Sequence, residues 1–443
     1  MDEEMSVLYP PPELMRDRCD EVNTGRPATC RDGADRPGLA TVALRNAVLR
    51  KLRGISGGSI TVIEGETRCT YGDTSADLSA VVRVNDARFY RAIALGGSMG
   101  AGESYRDGYW SCDDLVGLIQ IFSRNMQAST DLGGRWNTVL DVGRKVAHRF
   151  KRNTRDGSRR NIAAHYDLSN EFYSLFLDET MTYSSGVFPD TNSSLKDASI
   201  EKYDRICRKL RLTPSDEVLE IGTGWGGFAQ HSVMHYGCRV TTTTISKQQH
   251  DYAKQRFAAS GITDRVTLLL SDYRDLTGVY DKLVSIEMIE AVGHEYFDTF
   301  FAKCSSLLKP DGLFALQAIT ISDQRYDQYR RSVDFIQKYI FPGGCLPSLG
   351  AMTSSVGRVT DLQIAHLEDF AEHYARTLEA WRQRFHSNLT PIRELGMTEP
   401  FLRLWDYYLC YCEGAFREKQ IGVSQLLLQK PQNRRSPLIP ALG

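Results

Sequence analysis

The sequence predicts an α/β protein in which a doubly wound, mostly parallel sheet follows a small amino-terminal α+β domain. Between residues 218 and 319, short apolar segments of strand length alternate with helical segments, which is typical of parallel strands joined by right-handed helical crossovers. After the first of these strands a glycine-rich turn opens a helix, an arrangement that lets a backbone approach a ligand at the carboxyl edge of such a sheet. A chain of 443 residues also has room for two or three domains.

Composition limits the classes of function. The chain is 42% hydrophobic and 25% charged with a formal net charge of -1, which is typical of a globular protein and argues against a nucleic-acid binder. No run of about eighteen apolar residues exists, so no membrane span is expected, and the acidic start at residues 1–4 is not typical of a secretion signal. Ten cysteines are scattered without Cys-x-x-Cys spacing, so we expect free thiols in a reducing cytosol and no metal site.

The amino-terminal region divides into a leader and a domain. Residues 1–38 are rich in Pro, Asp, Arg and Gly, and we expect a disordered leader there. Residues 39–130 predict the small α+β domain. Its predicted elements are a helix over 39–55, a hairpin over 58–72, a strand over 78–82, a loop over 97–110 and a helix over 113–126.

A basic linker is predicted over residues 131–160. Eight Lys and Arg residues lie between Arg144 and Arg160, opposed only by Asp156, in a chain that has no net positive charge. Two interpretations remain open. The segment is a solvated, mobile linker, or it binds an anionic membrane surface, to which each nearby basic residue contributes about 1 kcal/mol.

Residues 161–430 predict the main domain, and residues 431–443 a disordered tail. Strands are predicted at 218–219, 239–244, 266–270, 282–286, 313–319 and 423–429, and helices at 247–260, 297–308, 362–385 and 401–419. From Ile321 the alternation stops, and an apolar, aromatic insertion follows. This insertion either packs as ordinary core or covers a substrate, as long insertions near a ligand edge often do.

Four motifs, in order along the chain, carry a family resemblance. They are His165-Tyr166-Asp167, Met181-Thr182-Tyr183-Ser184, the glycine-rich turn Glu220-Ile221-Gly222-Thr223-Gly224-Trp225-Gly226-Gly227, and the insertion residues 338–348. The turn resembles motif I of the class I S-adenosylmethionine methyltransferases. Together the motifs resemble the cyclopropane-fatty-acyl-phospholipid synthase family over about residues 160–430. The 39–130 region resembles that family's amino-terminal lipid-binding domain. The resemblance thus implies a class I methyltransferase fold with an acyl-pocket insertion.

The resemblance implies transfer of a methyl group from S-adenosylmethionine to the cis double bond of an unsaturated phospholipid acyl chain, ending in a cyclopropane ring. A double bond is a poor nucleophile, so the reaction needs the electrophilic sulfonium methyl and leaves a carbocation that must be kept from water. Aromatic faces stabilise a cation by up to about 2 kcal/mol each when desolvated. The candidate pocket residues are Tyr339, Phe341, Tyr374 and Trp381.

The resemblance also implies a base. In the family a bicarbonate ion is held by a Cys, a Glu, a His and a Tyr, and accepts the proton. Glu290 and Tyr374 match two of these positions, whereas the cysteine position is Ser185 and the histidine position is Gln317. A backbone N–H can replace the cysteine's contribution, but a glutamine cannot carry a proton as imidazole does. Either the site still binds bicarbonate, with altered hydrogen-bonding and proton-carrying groups around it, or ring closure is lost.

For the cofactor, the resemblance points to residues from several loops. They are Tyr166, Ser184, Glu220, Gly222, Gly224, Gly226, Thr244, Gln249 and Asp272. Many class I enzymes have an acid where Thr244 stands, but the resembled family usually has this threonine. Asp272 ends the third strand, where a carboxylate can accept from the adenine amino group or can simply cap the loop.

Cyclopropanation is the first expectation, and two alternatives remain. The same alkene methylation can end in a methylene or methyl branch, or the chain can be a catalytically inactive protein that binds lipid and S-adenosylmethionine. The expected partners are a phospholipid with an unsaturated acyl chain and an anionic membrane surface, with no nucleic acid. The resemblance implies a homodimer and a cytoplasmic location at the inner face of the membrane.

Overall fold

The computed structural model describes residues 39–129 and 168–436. The predictions for the leader at 1–38, for the linker at 131–160 and for residues 437–443 of the tail fall outside these ranges, as does Tyr166. Within these ranges, no helix combines the length and the apolar character needed to cross a bilayer.

The amino-terminal unit is a four-stranded sheet with three helices. Its elements are α1 (Leu39–Leu52), β1 (Ser59–Glu64), β2 (Thr67–Gly72), β3 (Ser79–Val84), α2 (Arg88–Arg106), β4 (Trp110–Cys112) and α3 (Leu115–Ser129). The strand order is β2-β1-β3-β4, in which only the β1–β3 pair is parallel. Apolar side chains of the sheet face α1 and α3 and form a continuous core with them.

The predicted loop over 97–110 is wrong, because α2 continues to Arg106. Gly97 interrupts the helix with a φ of 57° and a ψ of -135°. The glycines that suggested a loop instead allow close packing. A Cβ at Gly100 would lie 1.9 Å from the carbonyl oxygen of Ala92, and one at Gly102 would lie 2.5 Å from the ring of Phe335.

The main domain has the predicted doubly wound fold. Its strands are β5 (Glu217–Ile221), β6 (Arg239–Thr244), β7 (Val266–Leu270), β8 (Tyr280–Ile286), β9 (Leu308–Ile321), β10 (Gln363–Asp369) and β11 (Ile421–Gln429). The order is β10-β11-β9-β8-β5-β6-β7, with β9, β8, β5, β6 and β7 parallel and β11 antiparallel to both of its neighbours, β9 and β10. The strand order reverses at β5, so a ligand crevice is expected at the carboxyl ends of β5 and β8.

Eleven α-helices are described in the main domain. They are α4 (Asn170–Ser174), α5 (Leu195–Leu210), α6 (Gly227–Tyr236), α7 (Lys247–Ala259), α8 (Phe297–Ser306), α9 (Asp323–Tyr329), α10 (Phe335–Tyr339), α11 (Leu349–Val359), α12 (Ala371–Ser387), α13 (Leu389–Glu394) and α14 (Glu399–Arg417). The predicted helix over 362–385 is wrong at its start, where β10 pairs with β11 before α12 begins. The insertion after β9 contains α9, α10 and α11, so it is mainly short helices.

Helix α14 joins the two units. It packs against α12 of the main domain and against α2 and α3 of the amino-terminal unit. The hydroxyl of Tyr105 donates to Asp406 at 2.6 Å, and Arg403 donates to the carbonyl oxygens of Tyr105 and Trp110 at 2.5 and 2.6 Å. The two units therefore share one apolar seam along α14.

The packing along this seam predicts that substitutions at two glycines of α2 differ in their effect on the free energy of unfolding. Gly102→Ala places a methyl group against the rings of Phe335 and Tyr407, and we expect it to lower the free energy of unfolding by about 1–3 kcal/mol. Gly96→Ala is the matched control, because nothing lies within 4 Å of its Cβ position. It should be neutral or stabilise by up to about 1 kcal/mol. Equal denaturant midpoints for the two variants would contradict this packing.

Candidate active site

A cavity of about 1760 Å³ opens at the carboxyl ends of β5 and β8 and extends into the amino-terminal unit. The glycine-rich turn and two glutamates line one end. Aromatic side chains of the insertion and of α14 line the middle, and apolar side chains of β1, β3, α2 and α3 line the other end. Residues far apart in the chain thus enclose one space.

The glycine-rich turn presents backbone to this cavity. The N–H groups of Gly222 and Thr223 both donate to the carbonyl oxygen of Thr243 at 3.0 Å, which fixes the turn against β6. Gly222 and Gly224 have φ angles of 104° and 52° and line the cavity, and nothing lies within 4 Å of a Cβ built on Gly224. Gly226 does not line the cavity; its Cβ position lies 2.8 Å from the ring of Phe257, so this glycine serves helix packing.

The other described cofactor candidates also line the cavity, namely Ser184, Glu220, Thr244, Gln249 and Asp272. The Thr244 hydroxyl donates to Gln249 Oε1 at 2.9 Å. Both carboxylate oxygens of Asp272 accept from Arg274, and the backbone N–H of Arg274 donates to the same carboxylate, so Asp272 does cap its loop. Burial raises the pKa of Glu220 to about 8, and the Thr242 hydroxyl donates to its carboxyl at 2.6 Å.

Lys202 is a site residue that the sequence analysis missed. It lies on α5 with no exposed surface, and its Nζ donates to Ser184 Oγ at 2.6 Å. Burial lowers its pKa to about 8, while the carboxylates of Glu287, Asp178 and Glu220 act in the opposite direction. A lysine at a core-facing position of the amphipathic stripe of α5 was the available signal.

Glu287 is the second missed residue, and it lies at the centre of the predicted base site. Its Oε1 accepts from the backbone N–H of Ser185 at 2.9 Å and from Gln317 Nε2 at 2.7 Å. Its Oε2 accepts from the Tyr374 hydroxyl at 2.8 Å. Three of the four predicted base-site residues thus meet at Glu287, and the contribution at position 185 comes from the backbone.

Glu290, the fourth predicted residue, lies beside this cluster. Its Oε1 accepts from the backbone N–H of Ile319 at 2.5 Å, and its Oε2 is buried without a hydrogen-bond partner in the described ranges. Burial, followed by the charge of Glu287, raises the pKa of Glu290 to about 8. At neutral pH Glu290 is therefore mostly the neutral acid. Both glutamates line the cavity.

The environment of Glu287 stabilises its ionised form against the effect of burial. Burial raises its pKa above the usual range of a carboxyl, and Lys202, Gln317, the Ser185 N–H and the Tyr374 hydroxyl oppose this rise only in part. Burial and the adjacent Glu287 raise the pKa of the Tyr374 hydroxyl well above its usual range, so it remains a donor. Two adjacent buried carboxyls with raised pKa values are candidates for an acid–base site.

The backbone of Glu287 is unusual as well. It has a φ of 49°, in the left-handed region, directly after the last residue of β8. A non-glycine residue in such a conformation costs about 1–3 kcal/mol and persists only where its surroundings enforce it. Here the Glu287 N–H donates to the carbonyl oxygen of Gln317 at 2.8 Å. The turn directs the side chain into the cavity wall.

A row of buried groups orients Gln317. Its Oε1 accepts from Gln425 Nε2 at 2.9 Å, and Gln425 Oε1 in turn accepts from Lys209 Nζ at 2.5 Å. With its oxygen engaged in this way, the Gln317 amide presents its N–H to Glu287. Lys209 also pairs with Glu368.

The aromatic wall includes two of the four predicted pocket residues. Phe341 and Tyr374 line the cavity, together with Tyr183 and Tyr408, whose hydroxyls are 2.9 Å apart. Trp381 does not line the cavity; it packs behind the wall with its ring centroid 5.2 Å from that of Tyr183 and 6.1 Å from that of Tyr374.

Tyr339 lies away from the cavity as well. Its hydroxyl donates to Glu103 Oε1 at 2.7 Å, and Lys338 Nζ contacts the same oxygen at 2.6 Å. It therefore ties the insertion to α2. In the described ranges, no group of three or more His, Cys, Asp and Glu side chains is arranged to hold a metal ion.

Comparison with known proteins places this geometry in a family. The mycolic acid cyclopropane synthetase family profile matches residues 153–426. The tuberculostearic acid methyltransferase UfaA1 of Mycobacterium tuberculosis is 36% identical over 402 residues, covering 88% of this chain and 91% of its own length. The cyclopropane-fatty-acyl-phospholipid synthase of Escherichia coli is 36% identical over 364 residues, covering 79% of this chain and 88% of its own length.

Solved structures agree with the sequence comparison. The mycolic acid cyclopropane synthase CmaA1, complexed with SAH and CTAB, superposes with a TM-score of 0.58 at 32% identity, covering 61% of this chain and 98% of its own. The cyclopropane synthase MmaA2 gives a TM-score of 0.57 at 30% identity with the same coverage. From the profile match and these relatives, the chain belongs to the mycolic acid cyclopropane synthetase family, and it is an S-adenosylmethionine-dependent methyltransferase with the class I fold.

Proposed function

We propose that this enzyme methylates the cis double bond of unsaturated acyl chains in membrane phospholipids and closes a cyclopropane ring. The observation that carries the proposal is the continuous cavity. It joins the glycine-rich turn and the Glu287 cluster to an apolar chamber in the amino-terminal unit. This shape suits a small polar cofactor at one end and a long acyl chain at the other.

The residues of the turn fit the cofactor. Gly222 and Gly224 leave room where any side chain would intrude, and Ser184, Thr244 and Gln249 place polar groups around the same space. We propose that these residues, with Glu220, Asp272 and Tyr166, hold S-adenosylmethionine, while Gly226 allows the helix after the turn to pack closely. When bound, the cofactor supplies an electrophilic methyl group on a sulfonium.

The aromatic wall fits the substrate cation. Tyr183, Phe341, Tyr374 and Tyr408 surround the middle of the cavity, beside the carboxyl cluster. Their ring faces stabilise positive charge by up to about 2 kcal/mol each in a desolvated site. Because the wall is apolar, it also excludes the water that would trap the cation as an alcohol.

The far end of the cavity fits a membrane lipid. Leu95 and Phe122 line it and are 41% and 46% exposed. Lys51 also lines this end, and further exposed basic residues lie on the same helices or directly after α1, namely Arg50, Arg53 and Arg91. We propose that this end docks on an anionic bilayer at the cytoplasmic face, with the basic segment at 144–160 contributing to the attraction.

A methylene or methyl-branched product is the second candidate. Gln317 stands where the resembled family has a proton-carrying histidine, and UfaA1, which covers more of this chain than the other relatives named above, is called a methyltransferase. Both products share the first methylation, so the same cavity serves either one.

Product analysis separates these candidates. Expression in a host without such a synthase should yield fatty acids heavier by one methylene unit, because the alkene gains a methyl carbon and loses a proton. At this mass, resistance of the product to mild hydrogenation indicates a ring and ready reduction indicates a methylene branch, whereas a saturated methyl branch is heavier by two further hydrogens, which a reductant must supply. Mass spectrometry that finds no heavier fatty acid, although the purified protein binds S-adenosylmethionine, would instead support an inactive binding protein.

The open space at Gly224 predicts a binding defect. Gly224→Val fills that space, and we expect the affinity for S-adenosylmethionine, measured by calorimetry, to fall by about tenfold or more. Gly261→Val is the matched control: Gly261 also has a positive φ of 67° and open surroundings but lies outside the cavity. Equal affinities for the two variants would argue against this cofactor position.

The exposed end of the cavity predicts a membrane defect. Leu95→Glu and Phe122→Glu should each weaken sedimentation with anionic vesicles by about tenfold, since burial of a large apolar side chain contributes about 1.5–3 kcal/mol. Affinity for S-adenosylmethionine should not change. Met234→Glu is the control, because Met234 is 57% exposed on α6, outside the cavity.

The contribution of the basic segment is tested separately. Neutralising four arginines within 144–160 should lower vesicle binding at low salt and have less effect at high salt. Unchanged sedimentation in both sets of variants would refute the proposed membrane surface.

A further inference from the structure

The base site does not fit a bound bicarbonate. The resemblance implies an ion held by donors at positions 185, 317 and 374, but here all three donors point at the carboxylate of Glu287. A carboxylate and a bicarbonate present the same planar O–C–O pair of acceptors. The side chain of Glu287 therefore uses the hydrogen bonds that would hold the ion.

We propose that Glu287 is the proton acceptor of this enzyme and that its carboxylate replaces the bicarbonate ion of the resembled family. The inference rests on the proposed function, because it concerns the proton lost after alkene methylation. Its geometric basis is that Glu287 lines the cavity and binds the three groups named above.

The charges around the site agree with a resident base. Lys202 is a buried cation that faces Glu287, and Glu290 is a second carboxyl next to it. A bicarbonate ion added here would be a further anion among buried carboxyls, and it would need a cation of its own. With Glu287 as the base, Lys202 faces only the carboxyls that the chain itself supplies, namely Glu287, Asp178 and Glu220.

Glu287 is also held rigidly enough to act at one carbon. Its left-handed backbone is fixed by the hydrogen bond from its N–H to Gln317, and the Gln317 amide is oriented by Gln425. A base whose position is set in advance does not have to be ordered during the reaction.

The proposed step balances for either product. A C–H bond of the newly added methyl carbon breaks, and its proton passes to a Glu287 carboxylate oxygen. The electron pair of that bond forms the third C–C bond of the ring at the cationic carbon. For a methylene branch, a hydride first moves between the two former alkene carbons, and the same electron pair then forms a C=C bond. Glu287 leaves the step as a neutral acid and releases its proton to water before the next turnover.

The test compares bicarbonate dependence in three forms of the full-length enzyme. Wild-type turnover on unsaturated phospholipid vesicles should be the same, within about twofold, in carbonate-free buffer and with added bicarbonate. Glu287→Gly removes the carboxylate, vacates its space and tolerates the positive φ. Its turnover should be about 10²–10⁴-fold lower than that of the wild type, which is the usual contribution of a general base. Added bicarbonate or formate should raise the turnover of this variant by at least about tenfold.

Glu287→Gln is the matched control. It retains the volume of the side chain and cannot accept the proton, so it should lose turnover to a similar extent without restoration by either anion. Both variants should bind S-adenosylmethionine with the same affinity as the wild type, measured by calorimetry. That result shows that the cofactor site is intact.

The outcomes are distinguishable. Wild-type product that forms only with bicarbonate would overturn the inference and leave the proposed function standing. Full turnover by Glu287→Gln, or no restoration of a folded Glu287→Gly that binds cofactor, would also overturn it. Absence of any product from the wild type, with or without bicarbonate, would overturn the proposed function and the inference together.

Discussion

The reaction needs a charged base inside a cavity that excludes water, and the buried ammonium of Lys202 makes that combination stable. An isolated carboxylate in an apolar interior is strongly unfavourable, so the base must be paired. Lys202 reaches the cavity from α5 and contacts Ser184 directly, while its charge acts on Glu287 and Glu220. The cofactor end and the base end of the site therefore depend on one cation. Hydrogen bonds from positions 185, 317 and 374 complete the environment.

The enclosure of this site depends on both units of the chain. Helix α14 packs on α12 on one side and on α2 and α3 on the other, and aromatic side chains along it line the cavity. The insertion covers the site in the same way. Its Cys345 N–H donates to the carbonyl oxygen of Glu290, and its Lys338 and Tyr339 bind Glu103 of α2. Packing of α14 and of the insertion thus excludes water from the active site, as its buried charges require.

Much of the fold was predictable because period and turn chemistry are local signals. The strands of the parallel sheet and the turn at 220–227 lie where the sequence predicts them. The errors arose where tertiary packing decides. The glycines at 97–102 indicated a loop, but Gly100 allows close packing within α2 and Gly102 allows α2 to approach α14. The segment at 363–369 becomes a strand because β11 offers it a partner.

The site was predictable in part for a related reason. Motif matching found Ser185, Gln317 and Tyr374, which do converge, but it could not show which carboxylate they bind. Glu287 and Glu290 are three residues apart at one strand end. The first of them has the left-handed backbone and receives the three donors, a conformation that no sequence motif indicates. Similarly, Trp381 and Tyr339 are aromatic residues near the cavity, and their side-chain directions exclude them from its wall.

The cavity has a further consequence because one continuous space is lined both by Glu287 and by the exposed side chains of Leu95 and Phe122, which form its rim. If the headgroup stays at the bilayer beside Leu95 and Phe122, a double bond reaches Glu287 only under one condition. The number of carbons between the headgroup and the double bond must match the distance from the rim to the carboxylate. The protein then selects a double bond by its distance from the headgroup. The distance from that rim to the carboxylate then sets which carbon of the chain is modified, and the residues of the amino-terminal unit that line the cavity contribute to positional selectivity.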